Sequence, residues 1–203
     1  MKRLAVGAAL LLLGCTSQQD AMSARPPQWT EANAPPSALA ASVHAKIASS
    51  GTGKLAAAET GNYMDSQEAE LRQRLRGVNV RRVGDDIVLV VDNDNLFATG
   101  SAGMSPGASG LVAAIADVLM RYNKTFVIVS GYSDTTGSAD FNLKLSQTRA
   151  QAVAGMLVRR GVDQSRITSQ GYGETHLKIP TGDGVNEPRN RRMEIRIVPS
   201  VAS

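Results

Sequence analysis

The sequence of 203 residues is short of the residue types from which most cofactor and metal sites are built. One cysteine and two histidines allow no internal disulfide and provide too few ligands for a cysteine- or histidine-based metal site. Aromatic residues make up only 4%, so aliphatic side chains must fill the core. The formal net charge of +4 is too small to indicate binding to nucleic acid. We therefore expect a binding or structural role without a cofactor, and not an enzyme.

The N-terminus shows the pattern of a secretory signal. Lys2 and Arg3 precede an unbroken run of apolar and small residues over 4–13. Such a run would span about 15 Å as a helix, roughly half of a bilayer core, which is the size of a signal-peptide hydrophobic region. The run is therefore predicted to direct export rather than to span a membrane.

The run ends at residues 12–15 in Leu-Leu-Gly-Cys, which resembles the bacterial lipobox. The resemblance implies that the signal peptide 1–14 is removed and that Cys15 is lipidated. Three acyl chains, at about 0.8 kcal/mol for each buried methylene, would anchor the protein permanently. Thr16, in place of an aspartate, is typical of lipoproteins sent to the outer membrane. The other interpretation is an ordinary secretory signal with an incidental cysteine.

The region after the cysteine is predicted to be a tether. Residues 15–60 contain four prolines and no lasting apolar period, apart from a weak helix pattern over 38–47. A flexible chain of this length has a root-mean-square reach of about 40 Å. Residues 61–77 are predicted to be a segment with one short helix. Within it, the helix is expected to start at a capping box over 65–68.

Residues 78–199 carry the dense strand and helix patterns of one domain. The predicted elements are a hairpin over 78–91, a helix from Ser105, a strand over 125–129, a helix over 139–160, a strand over 166–170 and a strand over 191–198. A hairpin combined with crossover connections predicts a mixed β-sheet covered by helices, of the α+β or α/β class.

The long helix over 139–160 has an apolar stripe that three polar residues interrupt. On a helical wheel, Asn142, Ser146 and Arg149 all fall inside the stripe. A buried guanidinium needs either a carboxylate or a cleft open to water. The preceding loop provides Asp134 at the carboxyl end of a strand, where ligands commonly bind. The pattern leaves open whether Asp134 and Arg149 form a structural ion pair or a ligand site with both charges.

The last strand adds a third charged candidate, Arg191. It shares side-chain parity with three residues predicted to be buried, Met193, Ile195 and Ile197. A cation at the end of a buried face commonly lines the rim of a pocket, so Arg191 is expected there. The nearby arginines predicted to lie on a solvated face are Arg189, Arg192 and Arg196.

Several motifs of this domain resemble the OmpA-like peptidoglycan-binding domain. The central one is Asn-x-x-Leu-Ser-x-x-Arg-Ala over 142–150, after Asp-x-x-Gly over 134–137. Residues 171–174 and 190–194 resemble further motifs of the family. The resemblance covers 78–199, and it implies a βαβαβ sandwich that binds peptidoglycan through the diaminopimelate of its stem peptide.

The resemblance also implies which residues hold diaminopimelate. By position, the family's aspartate and arginine fall on Asp134 and Arg149, while Asn142 and Arg191 match supporting contacts. Diaminopimelate carries an ammonium and carboxylates on a short stem, and these need one fixed anion and one fixed cation. One departure concerns the rim of the site: Ala98 stands where the family usually has an aspartate.

Together with the lipobox, the resemblance implies an outer-membrane lipoprotein that faces the periplasm. It would link the outer membrane, through its lipid anchor, to a diaminopimelate-type wall without a covalent bond to the wall. The alternative is a wall-sensing signalling lipoprotein whose N-terminal segment regulates an unidentified envelope partner. A hydrolase built on Ser133, Asp134 and His176 is not expected, because no nucleophile-elbow pattern surrounds the serine.

Overall fold

The computed structural model describes Val43, residues 53–98 and residues 100–202. The predictions for the signal peptide, Cys15 and most of the tether therefore concern residues outside the described part. The described α-helices are α1 (Ala57–Arg74), α2 (Asn93–Leu96), α3 (Ala108–Arg121) and α4 (Ala139–Arg159). The described strands are β1 (Asn79–Val83), β2 (Asp86–Asp92), β3 (Thr125–Tyr132), β4 (Ile167–Gly173) and β5 (Arg192–Pro199).

Within the described residues, the strands form one five-stranded sheet in the order β1-β2-β5-β3-β4. β3 and β4 are parallel, whereas the other neighbouring pairs are antiparallel. The predicted mixed sheet covered by helices is therefore confirmed. Since β5 runs antiparallel to both β2 and β3, those two strands point the same way. Their carboxyl ends meet the start of β5 at one edge of the sheet.

The main core lies between one face of the sheet and helices α1, α3 and α4. Alternate residues of the strands enter it, as the two-residue side-chain period requires. From β2 and β5 these are Ile87, Leu89, Val91, Met193, Ile195 and Ile197. Each such side chain contributes about 1.5–3 kcal/mol through burial. The predicted parity of β5 is thus confirmed.

Helix α1 begins before the predicted capping box, so that capping-box prediction is wrong. Asp65 and Ser66 lie in the middle of the helix, and the Ser66 hydroxyl donates to the carbonyl of Asn62 at 2.8 Å. The helix buries Met64 and Leu71 in the core. Its first turns were missed because the face turned inward also carries polar residues, Thr60 and Gln67.

The chain ahead of α1 contacts the domain at two described positions. The Leu55 amide donates to the carbonyl of Ser200 at 2.7 Å, and Leu55 forms a parallel bridge with Val201. Val43 has a helical backbone and is 4% exposed. It packs against a group on the sheet face away from the main core, Phe126, Ile128 and Val198. No helix in the described ranges is long and apolar enough to cross a bilayer.

Helix α4 approaches β3 and β4 closely because both strands have glycine at the crossing. A Cβ atom on Gly131 would lie 2.4 Å from the carbonyl oxygen of Ser146, and one on Gly171 would lie 2.2 Å from the amide nitrogen of Gln147. The Ser146 hydroxyl accepts a hydrogen bond of 2.8 Å from the Gly173 amide. This contact explains Ser146 in the apolar stripe: it joins the helix to the strand and brings the start of α4 to the sheet edge.

Candidate functional site

A cleft of about 240 Å³ lies at the sheet edge where β2 and β3 end and β5 begins. The four residues predicted from the sequence all line it, and so do two further charged or amide residues that no sequence pattern indicated. The six charged or amide side chains around the cleft are Asp94, Asp134, Asn142, Arg149, Asn186 and Arg191.

The loop after β3 holds Asp134 in a defined position. Its Oδ1 accepts a hydrogen bond of 3.2 Å from the Thr136 amide. Gly137 follows with a φ of 97°, a conformation that favours glycine. Ser138 then caps α4 by accepting a hydrogen bond from the Phe141 amide at 3.3 Å. The short connection between strand and helix leaves the Asp134 side chain only 8% exposed.

Asp134 forms its ion pair with Arg191. The Arg191 Nη1 donates to Asp134 Oδ2 at 2.8 Å, and its Nη2 donates to Asp94 Oδ2 at 3.0 Å. Asn186 accepts a further hydrogen bond from Arg191. The ion pair between Asp134 and Arg149, one of the two interpretations that the pattern allowed, is not formed. One guanidinium instead joins two carboxylates.

Arg149 reaches the cleft with most of its guanidinium unused. Its Nε donates to the carbonyl of Ser101 at 2.8 Å, and its guanidinium carbon lies 5.2 Å from the centre of the Phe97 ring. Burial lowers the pKa of Arg149, an effect opposed most strongly by the carboxylate of Asp94. Of the three guanidinium nitrogens of Arg149, only Nε has a hydrogen-bond partner among the described residues. The two terminal nitrogens therefore remain available to a carboxylate in the cleft.

Asn142 holds the loop that carries Asp134. Its amide nitrogen donates to the carbonyls of Asp134 and Thr136 at 3.2 and 3.1 Å, and to the Glu174 carboxylate at 2.7 Å. These contacts use the donor capacity of the side chain within the protein. Asn142 thus positions the aspartate loop at the start of α4, even though it also lines the cleft.

Asp94 is the charged residue of the cleft that the sequence analysis missed. It lies in α2, directly after β2, and its side chain is 59% exposed. The polar run over 92–95 after an apolar strand was the available signal. That signal indicates a site only when the strand order is known, because β2 and β3, although consecutive strands of the chain, are separated by β5 in the sheet.

The prediction of a solvated face for the nearby arginines is wrong for Arg192. Its guanidinium lies 3.8 Å from the centre of the Tyr132 ring, and its Nε donates to Glu194 at 2.8 Å. Tyr132 in turn stacks on Tyr172 with ring centres 5.2 Å apart. This aromatic pair covers the sheet face away from the main core and buries a cation that the alternation of β5 directs toward water.

The geometry gives no support to a serine nucleophile. The hydroxyl of Ser133 is buried and has no hydrogen-bond partner among the described residues. A nucleophilic serine needs a base within hydrogen-bond reach. His176 instead accepts or donates a hydrogen bond of 2.8 Å with Thr175, and its ring contacts Tyr172.

Comparison with known proteins gives one family and several relatives. Residues 96–191 match the OmpA family. An Escherichia coli K12 protein named "Probable lipoprotein YiaD" is 43% identical over 141 residues, which cover 68% of this chain and 64% of that protein. The chain thus spans less than two thirds of the length of this relative.

The solved structures that resemble the fold include two proteins that are more than 25% identical to this chain. A Desulfovibrio vulgaris protein described as MotB-like superposes with a TM-score of 0.60 and 26% identity, covering 69% of this chain and 95% of that one. The Pseudomonas aeruginosa protein described as the cell wall anchor of the T6SS superposes with a TM-score of 0.53 and 32% identity. That match covers 69% of this chain and 96% of the other.

Proposed function

The chain belongs to the OmpA family, and we propose that it binds peptidoglycan non-covalently by holding diaminopimelate in the cleft. The free end of diaminopimelate in a stem peptide carries an ammonium and a carboxylate on one carbon. The carboxylate binds the two terminal nitrogens of Arg149, and the ammonium lies on the side of Asp134. Arg149 is the arginine of the central motif, and Asp134 is the aspartate that precedes it.

The single observation that carries the proposal is the unused guanidinium of Arg149. A buried cation without a carboxylate partner is unfavourable, and a structural arginine would be expected to use more of its donors. Here the fold places the arginine against Phe97, and within the described residues it holds the guanidinium by a hydrogen bond from one nitrogen only. A carboxylate ligand with two parallel hydrogen bonds completes the site.

The expected affinity is modest. A hydrogen bond to a charged group contributes about 1.5–3 kcal/mol net, so two or three of them on a small ligand give weak, reversible binding. A wall polymer offers many copies of the ligand, which offsets weak single contacts. No chemical step is required of the cleft, and we propose binding without catalysis.

We also propose a lipid anchor at Cys15 that holds the protein at the outer membrane, facing the periplasm. The name of the E. coli relative and the description of the P. aeruginosa protein as a cell wall anchor support a role between membrane and wall. Removal of residues 1–14 would leave a tether whose first described contact with the domain is at Val43. A flexible chain of that length reaches about 30 Å, less than the reach expected from residues 15–60.

The signalling alternative, in which the segment before the domain docks onto an envelope partner, loses part of its basis. Helix α1 lies in that N-terminal segment, but it packs Met64 and Leu71 into the core of the domain. A deletion that separates the two roles should therefore stop before Val43 and spare α1. We expect a chain lacking residues 16–42 to keep wall binding.

Co-sedimentation with purified sacculi tests the binding site. We expect the full chain, purified in detergent, to pellet with diaminopimelate-type sacculi, and Asp134→Ala or Arg149→Ala to stay in the supernatant. Arg189→Ala is the matched control, because Arg189 is exposed and its described ion pair is with nearby Glu187. Lysine-type sacculi, which lack the second carboxylate, should pellet little protein. Unchanged pelleting of both cleft variants would contradict the proposed site.

Fractionation of cells tests the anchor separately. Replacement of the cysteine in Cys15→Ser should move the protein from the outer-membrane fraction to the soluble periplasm if the thiol carries the lipid. Retention of this variant in the outer-membrane fraction would refute the anchor and leave the cleft proposal intact.

A further inference from the structure

We propose that Asp94 makes the cleft prefer stem peptides whose diaminopimelate amine is free over stem peptides in which a cross-link has acylated that amine. This inference rests on the proposed function and assigns a role to the residue that the sequence motifs do not include. It concerns which form of the wall the protein recognises.

The first support is the arrangement of charges around the cleft. Arg191 joins Asp94 and Asp134 at 3.0 and 2.8 Å. Arg149, from helix α4, contributes a second cation to the cleft. The two arginines and two aspartates balance to a net charge of zero. A ligand end that carries both an ammonium and a carboxylate enters such a site without leaving an unpaired charge.

The second support is the difference in access between the two carboxylates. The Asp134 side chain is 8% exposed, and its two oxygens already accept from Arg191 and from the Thr136 amide. Asp94 is on the open side of the cleft, and only its Oδ2 accepts a hydrogen bond from a described residue. Its Oδ1 is therefore the carboxylate oxygen that an incoming ammonium reaches without breaking a contact.

The third support is the electrostatic relation of Asp94 to Arg149. Burial lowers the pKa of Arg149, and among the neighbouring charges Asp94 opposes this more than Asp134 does. Asp94 thus acts on the arginine that we assign to the ligand carboxylate. Because the ammonium and carboxylate of diaminopimelate share one carbon, a carboxylate on Arg149 keeps the ammonium in the cleft, on the side where Arg191 joins Asp134 and Asp94.

Cross-linking changes only one of these two ligand groups. Acylation converts the ammonium into a neutral amide, whereas the neighbouring carboxylate keeps its charge. The contact with Arg149 survives, but Asp94 loses the charge-assisted hydrogen bond and faces a larger group. The free-amine form is therefore favoured by about one charge-assisted hydrogen bond, which corresponds to roughly tenfold in the dissociation constant.

Calorimetric titration with two synthetic probes tests the preference. The first probe is N-acetyl-L-Ala-γ-D-Glu-meso-diaminopimelate, and the second is the same tripeptide acetylated at the diaminopimelate amine. We expect the full chain in detergent to bind the first probe roughly tenfold more tightly. In Asp94→Asn the ratio should fall to within about twofold, while affinity for the acetylated probe is retained or increased.

Asp140→Asn is the matched control, because it removes a carboxylate near the cleft. Asp140 is an exposed residue in the first turn of α4 and does not line the cleft. This variant should keep the wild-type ratio between the dissociation constants of the two probes. The comparison thus separates a direct contact by Asp94 from a general effect of removing one negative charge. Retained binding of the acetylated probe shows in the same titration that Asp94→Asn is folded.

The possible contrary results are distinct. If Asp94→Asn keeps the full preference for the free amine, Asp94 does not bind the amine and the inference is wrong. If it weakens both probes equally, Asp94 only positions Arg191, and the inference is again wrong. If the wild-type chain binds neither probe, the diaminopimelate site itself is wrong, and the inference falls with it.

Discussion

Asp134 and Arg191, which are 57 residues apart in the chain, form an ion pair of 2.8 Å at the edge of the sheet. The pair joins the loop after β3 to the residue that precedes β5. The pair gives the Asp134 carboxylate a charged partner within the protein. Arg149 is left as the cation whose terminal nitrogens can bind a ligand. The division of roles between the two arginines of the cleft follows from this contact.

Removal of the Arg191 side chain should destabilise the domain. In Arg191→Ala the nearly buried carboxylate of Asp134 loses its charged partner, and we expect a loss of about 1–2 kcal/mol in the free energy of unfolding. Urea denaturation followed by circular dichroism measures this loss. The control Arg189→Ala breaks a solvent-screened pair with Glu187 and should leave the free energy of unfolding nearly unchanged. Equal effects of the two variants would contradict the structural role of Arg191.

The glycine at the crossing of α4 and β4 should not tolerate a methyl group. In Gly171→Ala the new Cβ would lie 2.2 Å from the Gln147 amide nitrogen, so the helix must move, and we expect a loss of about 3 kcal/mol. Gly61→Ala in α1 is the opposite case, since no atom lies within 4 Å of its Cβ position. It should stabilise the protein by about 0.5–1 kcal/mol. Thermal unfolding compares both variants with the wild type, and a neutral Gly171→Ala would refute the close approach.

Arg166 should be a strong determinant of stability outside the cleft. It donates to the carbonyls of Leu119, Tyr122 and Thr125 at 2.9, 3.1 and 2.7 Å, near the carboxyl end of α3. Arg166→Met removes a donor from each of these carbonyls, of which that of Tyr122 still accepts from the Thr125 hydroxyl, and we expect a loss of about 3 kcal/mol in urea denaturation. Arg166→Lys keeps the charge near the helix end but not the fork of donors, so it should recover part of that loss. A fully stable Arg166→Met would mean that the hydrogen bonds contribute nothing net.

The stacked tyrosines should make the protein sensitive to alkali. Burial raises the pKa of Tyr172 to about 12 and also raises the pKa of Tyr132. Above about pH 10 the unfolded chain ionises its tyrosines while the folded chain keeps these two protonated, so stability falls as the pH rises from 10 to 12. Absorbance at 295 nm and circular dichroism should show that these two tyrosines ionise only as the fold is lost. Tyr172→Phe should shift this transition to higher pH, and ionisation of all four tyrosines in a folded protein would refute the prediction.

Local patterns were sufficient for most of the elements that build the sheet. The apolar alternation of β5 and the β-branched run of β3 predicted strands whose inward faces the structure confirms. The start of α1 was not predictable in this way, because Thr60 and Gln67 occupy buried positions on its inner face. A prediction that relies on apolar periodicity misses the part of a helix where the inward-facing residues are polar.

The sequence by itself determined the order of the strands and of the longer helices, the apolar faces that α4 and β5 bury, and three of the charged residues that meet at the carboxyl edge. Asp134, Arg149 and Arg191 were all identified because each lies where its local period predicts an apolar residue or the end of a strand. Only the tertiary structure decided that Asp134 pairs with Arg191, that Asp94 joins them and that Arg149 stays open. The physical reason is that side-chain parity is set within a few neighbouring residues, whereas an ion pair depends on distances between elements. The strand order, with β5 between β2 and β3, sets those distances.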